Sequence, residues 1–182
     1  MKIQTLTVCI AASIWAPYAN AEPVAVNYYE SSLGIEVQTG DRSISGVFER
    51  WTADITFDRD NPEAASFQVI AEVGSITLSD GIAQTMLATA AWLAAEKFPP
   101  ATFQRETVTA NAERTEEVTG ALDLHGVTAP LELIVEMNDR SDTTTADVTG
   151  QLDRTDFAIG SSFGPEIAGN MVTLTATVMI SQ

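Results

Sequence analysis

The sequence is poor in the side chains that metal sites and most hydrolases require. It contains one cysteine and one histidine in 182 residues. Cys9 lies in an N-terminal segment that we expect to be removed, so the mature chain is predicted to have neither a disulfide nor a thiol. His125 alone cannot build a zinc site of nitrogen and sulfur ligands. A lone histidine in a predicted hairpin turn also disfavours a Ser-His-Asp hydrolase.

Basic residues are also scarce. Nine lysines and arginines face 25 acidic residues, for a formal net charge of −16. This imbalance argues against a nucleic-acid partner, whose phosphates must be neutralised by basic side chains, and an anionic membrane surface would repel such a chain. Two interpretations of the acidity stay open: simple solubility, and docking onto a basic patch of a partner.

Long hydrophobic runs are missing as well. The chain starts with Met1-Lys2, continues with an apolar stretch over residues 3–15, and reaches a small-x-small pattern at Ala19-Asn20-Ala21. This order is typical of a secretory signal peptide. No later stretch approaches the ~20 apolar residues of a membrane helix. The sequence therefore predicts a signal peptide over residues 1–21, and one exported, periplasmic domain over residues 22–182 that is not an integral membrane protein.

What the chain does contain is hydrophobic alternation with a period of two. Three segments show it most clearly, at residues 67–73, 131–137 and 172–180, and weaker runs lie between them. Such a pattern predicts strands with one buried face. Because short polar turns separate the runs, the sequence predicts an all-β fold with an antiparallel sheet that closes into a barrel.

One segment departs from this alternation. Residues 79–98 are rich in alanine and hold apolar residues at helical spacing, with Ser79-Asp80 as a cap and Pro99-Pro100 as a stop. The pattern predicts a helical segment, as one helix or two short ones, that covers the barrel. It would either complete the core or act as a lid over a cavity.

Five short motifs follow one another in a recognisable order. They are Gly46-x-Phe48 with Ala53-x-Ile55-x-Phe57-Asp58, Gly74-Ser75-Ile76-Thr77, the passage from Trp92 through Phe98-Pro99 to Phe103, Leu122-x-Leu124-x-Gly126-Val127-Thr128-x-Pro130, and Asp153-Arg154-x-Asp156-Phe157. Together they resemble the YceI-like family of exported polyisoprenoid- and lipid-binding proteins. The resemblance covers nearly the whole mature chain.

The resemblance implies a lipocalin-like barrel of about eight strands whose apolar cavity holds an isoprenoid or another long-chain lipid, without catalysis and without a cofactor other than that ligand. Gln38-Thr39-Gly40 and Phe48-Glu49-Arg50-Trp51 are similar to the branch associated with membrane cytochrome b561. That similarity implies a basic surface on a membrane redox protein as a partner. The alternative hypothesis is a partner-docking or structural periplasmic protein with a filled barrel.

Candidate ligand-binding residues are the apolar side chains expected on the inner face of the barrel and under the helical segment. They are Phe67, Val69, Met86, Leu87, Trp92, Phe98, Phe103, Leu122, Leu124 and Phe163. For those in the helical segment, ordinary packing against the barrel is an equal alternative. Arg154 is interpreted as an ion-pair partner of Asp153 or Asp156 rather than as a ligand clasp.

The head group of the ligand is predicted to be uncharged. A diphosphate needs clustered arginine or lysine, and the eight basic residues after the signal peptide are dispersed, with several beside acids. We therefore favour a quinone-like head over a prenyl diphosphate.

Overall fold

The computed structural model describes residues 22–57, 66–110, 115–140 and 143–181. The predicted signal peptide lies outside these residues, as do Asp58 of the first motif and the polar stretch that follows it.

The described chain forms one antiparallel sheet in a strongly curled half-barrel. Its strands are β1 (Glu22–Pro23), β2 (Ala25–Val26), β3 (Ser32–Thr39), β4 (Arg42–Phe48), β5 (Trp51–Phe57), β6 (Ser66–Glu72), β7 (Ile76–Leu78), β8 (Pro100–Ala110), β9 (Thr115–Leu124), β10 (Val127–Arg140), β11 (Thr143–Asp153) and β12 (Met171–Ser181). The order across the sheet is β1-β5-β6-β8-β9-β10-β11-β12-β3-β4-β7, and β2 pairs with β12.

The alternation of the sequence decides which way the side chains point. In β10 the side chains of Leu131, Leu133 and Val135 are buried, while the residues between them are exposed. The same period holds in β6 and β12, so each strand places one apolar row inside the curl. This confirms the predicted lipocalin-like, all-β architecture. The described residues contain twelve strands rather than about eight. Three of the twelve, β1, β2 and β7, have only two or three residues each.

The N-terminal segment joins two sides of the curled sheet. β1 pairs with β5 at one side, and β2 pairs with the end of β12 at the other. Beyond them the hydroxyl of Tyr28 accepts a hydrogen bond from the amide of Ala53 at 3.0 Å, and the Tyr28 ring meets Trp51 edge-on at 5.2 Å between centroids. Residues 22–28 thus bridge strands that are not neighbours in the sheet.

The helix is shorter than the sequence predicts. Helix α1 spans Gly81–Leu87, and residues 88–98 form successive turns. The Asp80 cap is confirmed, since its carboxylate accepts hydrogen bonds from the amides of Ile82 and Ala83 at 2.9 Å each. In the described residues no helix is long and apolar enough to cross a membrane.

Tertiary contacts explain why the helix ends early. Trp92 is buried in the core, and the carbonyl of Ala91 accepts a hydrogen bond from the amide of Gly160 at 2.9 Å. Ala94 has a positive φ of 44°, which a helix does not allow. The alanine content favours a helix, but burial of the indole and pairing with the distant loop override that preference.

The β9–β10 hairpin explains the Leu124-His125-Gly126-Val127 motif. His125 and Gly126 have φ angles of 56° and 76°, as both central residues of the tightest hairpin turn require. His125 is half-buried; its Nδ1 donates a hydrogen bond to the carbonyl of Phe157 at 3.0 Å, and its ring meets Phe98 edge-on. Its contacts are therefore those of a packed turn residue.

Candidate ligand-binding cavity

The curled sheet encloses an apolar cavity of about 330 Å³. Its surface is formed by the inner rows of β3 to β12, by one side of α1, and by residues of the segments that follow α1 and β11. We call the rows contributed by the strands the strand wall. The alternating residues of β10 and β12 that the sequence predicts to be buried all belong to this wall.

Polar side chains are few on the cavity surface. They are Thr39, Thr56, Glu116, Arg154 and Thr175, and all other lining residues are hydrophobic. Such a surface suits an apolar ligand, since it offers dispersion contacts and few groups that demand hydrogen bonds.

Eight of the ten candidate residues lie on this cavity surface. They are Phe67, Val69, Met86, Leu87, Trp92, Phe103, Leu122 and Leu124. Phe67 and Phe103 stack on each other at 6.0 Å between ring centroids. Contact of these residues with a ligand stays a prediction.

Phe98 and Phe163 are not among the residues of the cavity surface, and their contact with a ligand stays a prediction. Phe98 packs on His125 at the hairpin turn, 4.7 Å between centroids, and Phe163 stacks on the indole of Trp92 at 5.4 Å. Both residues lie in turn or loop segments. There the sequence has no alternation that shows which way a side chain points.

Several cavity residues were not among the candidates. Trp51, Ile44, Leu133, Met137 and Leu174 line it, and the alternation that predicts their strands could have identified them. Thr39 also lines it, although the sequence marks it only as part of the Gln38-Thr39-Gly40 motif. The available signal was its position at the end of the inner row Leu33, Ile35, Val37.

Arg154 organises one end of the cavity. Its side chain is 2% exposed, and its guanidinium donates to six oxygens of the segment that follows. These are the carbonyls of Ile159 (2.8 Å), Gly160 (2.7 Å), Phe163 (3.0 Å), Ala168 (3.0 Å) and Gly169 (3.1 Å) and Oδ1 of Asn170 (3.2 Å). We call residues 154–170 the Arg154 loop. The predicted ion pair with Asp153 or Asp156 is wrong, because backbone carbonyls occupy all the donors.

Asp153 has a local role instead. Its Oδ1 accepts hydrogen bonds from the hydroxyl and the amide of Thr155, at 2.6 and 2.8 Å. These two bonds hold the pKa of the Asp153 carboxyl below its usual value of 3.8, with a smaller contribution from the Arg154 charge. The carboxylate therefore caps the turn that begins the Arg154 loop.

The indole of Trp92 covers the Arg154 loop from the cavity side. The Arg154 guanidinium lies 5.3 Å from the centre of the Trp92 ring, within the range of a cation–π contact. Gly160 has a φ of 54°, and a Cβ at this position would lie 2.9 Å from the indole. Arg154 of the Asp-Arg-x-Asp-Phe motif and Gly160 thus both pack against the indole of Trp92.

Two further arginines lie outside the cavity. Arg50 forms an exposed ion pair with Glu72, which raises the pKa of the arginine and lowers that of the carboxyl. Arg42 lies 3.6 Å from the Asp80 carboxylate. Within the described ranges no group of three or more His, Cys, Asp or Glu side chains is placed to hold a metal ion.

The family model described as the YceI-like domain matches residues 25–180 of the chain. This chain belongs to the YceI-like family. The match confirms the family to which the five motifs pointed, while membership in the branch associated with cytochrome b561 stays a prediction.

Relatives of this YceI-like domain include a UPF0312 protein of Pseudomonas syringae pv. syringae, 32% identical over 95 residues, which are 52% of this chain and 50% of the relative. Protein YceI of Salmonella arizonae is 29% identical over 126 residues, 66% of this chain and 65% of the relative. The chain spans about half the length of the first curated relatives that it matches.

Solved structures share the fold of this YceI-like domain. Burkholderia cenocepacia BcnA aligns with a TM-score of 0.79 at 22% identity, over 85% of this chain and 99% of BcnA. A polyisoprenoid binding domain from Saccharophagus degradans, implicated in plant cell wall breakdown, aligns with a TM-score of 0.62 at 11% identity, over 88% of this chain and 98% of that domain.

Proposed function

We propose that this protein is an exported, non-catalytic carrier that holds the chain of an isoprenoid or another long-chain lipid in its cavity. The observation that carries the proposal is the continuous hydrophobic surface of a 330 Å³ cavity inside a single domain. This volume lies at the lower end of the range of small-molecule sites, ~300–1,000 Å³. It favours a short or partly inserted chain.

The energetics of transfer support an apolar chain as the occupant. Each CH₂ group removed from water contributes about 0.8 kcal/mol, so even a few isoprene units give a large gain over the aqueous state. A bilayer offers nearly the same gain. Selectivity over the membrane must therefore come from the fit of the chain and from the head group.

The charges around the cavity favour an uncharged head group. Among the described residues, Arg154 is the one basic side chain on the cavity surface, and backbone carbonyls occupy its donors. Arg50 is paired with Glu72 outside the cavity, and Arg42 also lies outside it. The cavity surface itself therefore offers a diphosphate no free fork of N–H donors. We therefore favour a quinone or an alcohol as the head, and the periplasm as the compartment, on the basis of the predicted signal peptide.

Organic extraction of the secreted, purified protein followed by mass spectrometry tests the proposal. The expected result is an isoprenoid or other long-chain lipid at close to one molecule per chain. A matched pair of variants localises it. Ala176→Phe introduces a ring on the cavity surface, and Ala121→Phe introduces the same ring at a half-buried position outside that surface.

Loss of the lipid from Ala176→Phe but not from Ala121→Phe, with both variants cooperatively folded, supports the carrier. A clean extract from the parent protein, together with no rise in melting temperature when quinone or lipid is added, contradicts it. That outcome would favour the alternative of a partner-docking protein.

A further inference from the structure

The strand wall is interrupted at β7, where the strand order ends. β6 pairs with β8 from Gln68 to Glu72, but β7, which follows β6 in the chain, pairs with β4 alone among the described strands. The side of β7 that faces away from β4 therefore has no neighbouring strand. Helix α1 contacts β7 and completes the wall here, since Ala83, Met86 and Leu87 on one side of the helix belong to the cavity surface.

Gln84 joins α1 to this free edge of β7. Its Oε1 accepts a hydrogen bond from the amide of Leu78 at 2.6 Å, and its Nε2 donates to the carbonyl of Ile76 at 3.1 Å. A further strand would bind the same two groups, so one side-chain amide takes the place of a strand. Among the described residues, Gln84 makes all the hydrogen bonds between α1 and the sheet, and Arg42 adds an ion pair with the Asp80 cap.

The packing of α1 is weak in comparison with the segments on either side. None of its residues is buried, and Ile82, outside the cavity surface, is 76% exposed. Before α1, the amide of Ser79 donates to the carbonyl of Ser45 on β4 at 2.8 Å, and after it Trp92 is buried in the core. A short helix without buried residues between two fixed points is the part of the cavity wall that opens with the smallest loss of contacts.

The opposite end of the strand order is closed more firmly. There the N-terminal segment covers β5: the amide of Val24 donates to the carbonyl of Ile55 at 2.9 Å, and the amide of Ala53 donates to the hydroxyl of Tyr28 at 3.0 Å. Within the described residues 23–31, none belongs to the cavity surface. Opening at that end would therefore break strand pairing before it reached the cavity.

From this geometry we propose that a lipid enters and leaves the cavity beneath α1, that α1 opens as a lid, and that the Gln84 carboxamide is the latch that holds the lid closed. The inference rests on the proposed function and deepens it. Gln84 itself does not belong to the cavity surface, so its bonds stabilise the closed lid equally with and without a ligand. Loss of the latch raises the population of the open state in both cases. Entry and release then accelerate together, and the affinity hardly changes.

Stopped-flow fluorescence of Trp51 and Trp92 with a ubiquinone of two isoprene units measures both rates. Gln84→Leu keeps the size of the side chain but removes the latch bonds. We expect association and release each to accelerate about fivefold to tenfold, the equivalent of about one net hydrogen bond, with Kd within twofold of the parent. Gln68→Leu is the matched control, because Gln68 lies outside the cavity surface and bonds Gln104 on β8. It should change neither rate.

Opening of the lid is also measurable without a ligand, since Cys9 lies in the predicted signal peptide and the mature chain then has no thiol. Met86→Cys introduces a thiol on the cavity side of α1, and Ile82→Cys introduces one on its exposed side. A charged methanethiosulfonate should modify the first thiol slowly, and Gln84→Leu should accelerate this reaction by the same factor as lipid release. The second thiol should react fast with or without the latch.

Unchanged rates in Gln84→Leu, or faster release with an equal loss of affinity, would overturn the lid while the carrier function stands. If the parent shows no saturable quinone binding, the carrier proposal fails, and the thiol reaction alone decides whether α1 opens. Should Gln84→Leu not unfold cooperatively, Gln84→Glu replaces it. This variant keeps an acceptor for the Leu78 amide but loses the donor to Ile76, so both rates should rise, and unchanged rates would equally overturn the latch.

Discussion

The strand wall and the Arg154 loop enclose the same cavity but are stabilised by different means. In the strand wall, stability comes from many apolar side chains, such as Leu131, Leu133 and Val135, and from the regular ladder of strand hydrogen bonds. In the Arg154 loop, the main-chain carbonyls converge on a single guanidinium. A change in the wall is therefore shared among many contacts, whereas the loop depends on one residue.

The difference shows why a buried charge is found beside an apolar cavity. The carbonyls of residues 159–169, which lie outside any helix or strand, need donors, and one arginine provides five N–H groups in a fixed plane. A buried arginine without a carboxylate partner is costly, so its carbonyl shell must be complete. Arg154 is thus a structural residue of the cavity end.

The largest effect should come from removal of the Arg154 side chain's donors. Arg154→Met keeps much of the apolar stem but leaves at least five carbonyls without their donor, and we expect a loss of about 3–5 kcal/mol in the free energy of unfolding. Arg154→Lys, which has three donors in place of five, should also be destabilised. Denaturant unfolding measures both.

Arg50→Met is the control for this comparison, because the Arg50 side chain is 61% exposed and pairs with Glu72 at the surface. It should change the unfolding midpoint very little. If Arg154→Met were as mild as Arg50→Met, the loop would not depend on its arginine.

A truncation in the strand wall should cost less than loss of Arg154. Leu133 is 8% exposed and faces the cavity, so Leu133→Ala enlarges a space that already exists. We expect a loss of about 2–3 kcal/mol, at the low end for leucine truncations. Chemical denaturation gives the value, and a loss above that of Arg154→Met would reverse the proposed order of the two regions.

The sequence predicts the strand wall far better than the loop. Alternation identifies the inner rows of β6, β10 and β12 because each side chain's direction follows from a period of two. Residues 88–98 were predicted to be helical but form turns, since burial of Trp92 outweighs the helical preference of alanine. The hydrogen bonds of Arg154 could not be predicted either, because no local sequence pattern shows that its side chain will bind carbonyls up to fifteen residues away.

A smaller effect within the loop should come from Gly160. Its φ of 54° is costly for a residue with a Cβ, and that Cβ would lie 2.9 Å from the Trp92 ring. Gly160→Ala should therefore lower the free energy of unfolding by about 1–2 kcal/mol. Thermal unfolding measures the change, and an unchanged melting temperature would mean that the loop tolerates a shift of the indole.

The smallest effect should depend on pH. Thr155 holds the folded-state pKa of Asp153 below 3.8, so the carboxylate stabilises the fold above the unfolded-state pKa, and this contribution is lost as the pH falls through the folded value. Asp153→Asn should be slightly less stable than the parent at neutral pH, and the two should converge as the pH falls through the folded-state pKa of Asp153, which lies below 3.8. A difference that persists there would point to a packing effect.

Quinone quenching of tryptophan fluorescence tests the central claim most directly. The chain has three tryptophans; Trp51 and Trp92 line the cavity, and Trp15 lies in the predicted signal peptide. Titration of the mature protein with a short-chain ubiquinone should quench both cavity indoles in a saturable manner, with a plateau near one equivalent, and Ala176→Phe should abolish the saturable phase. Quenching that rises linearly with quinone, and equally in Ala176→Phe, would contradict a lipid-binding cavity.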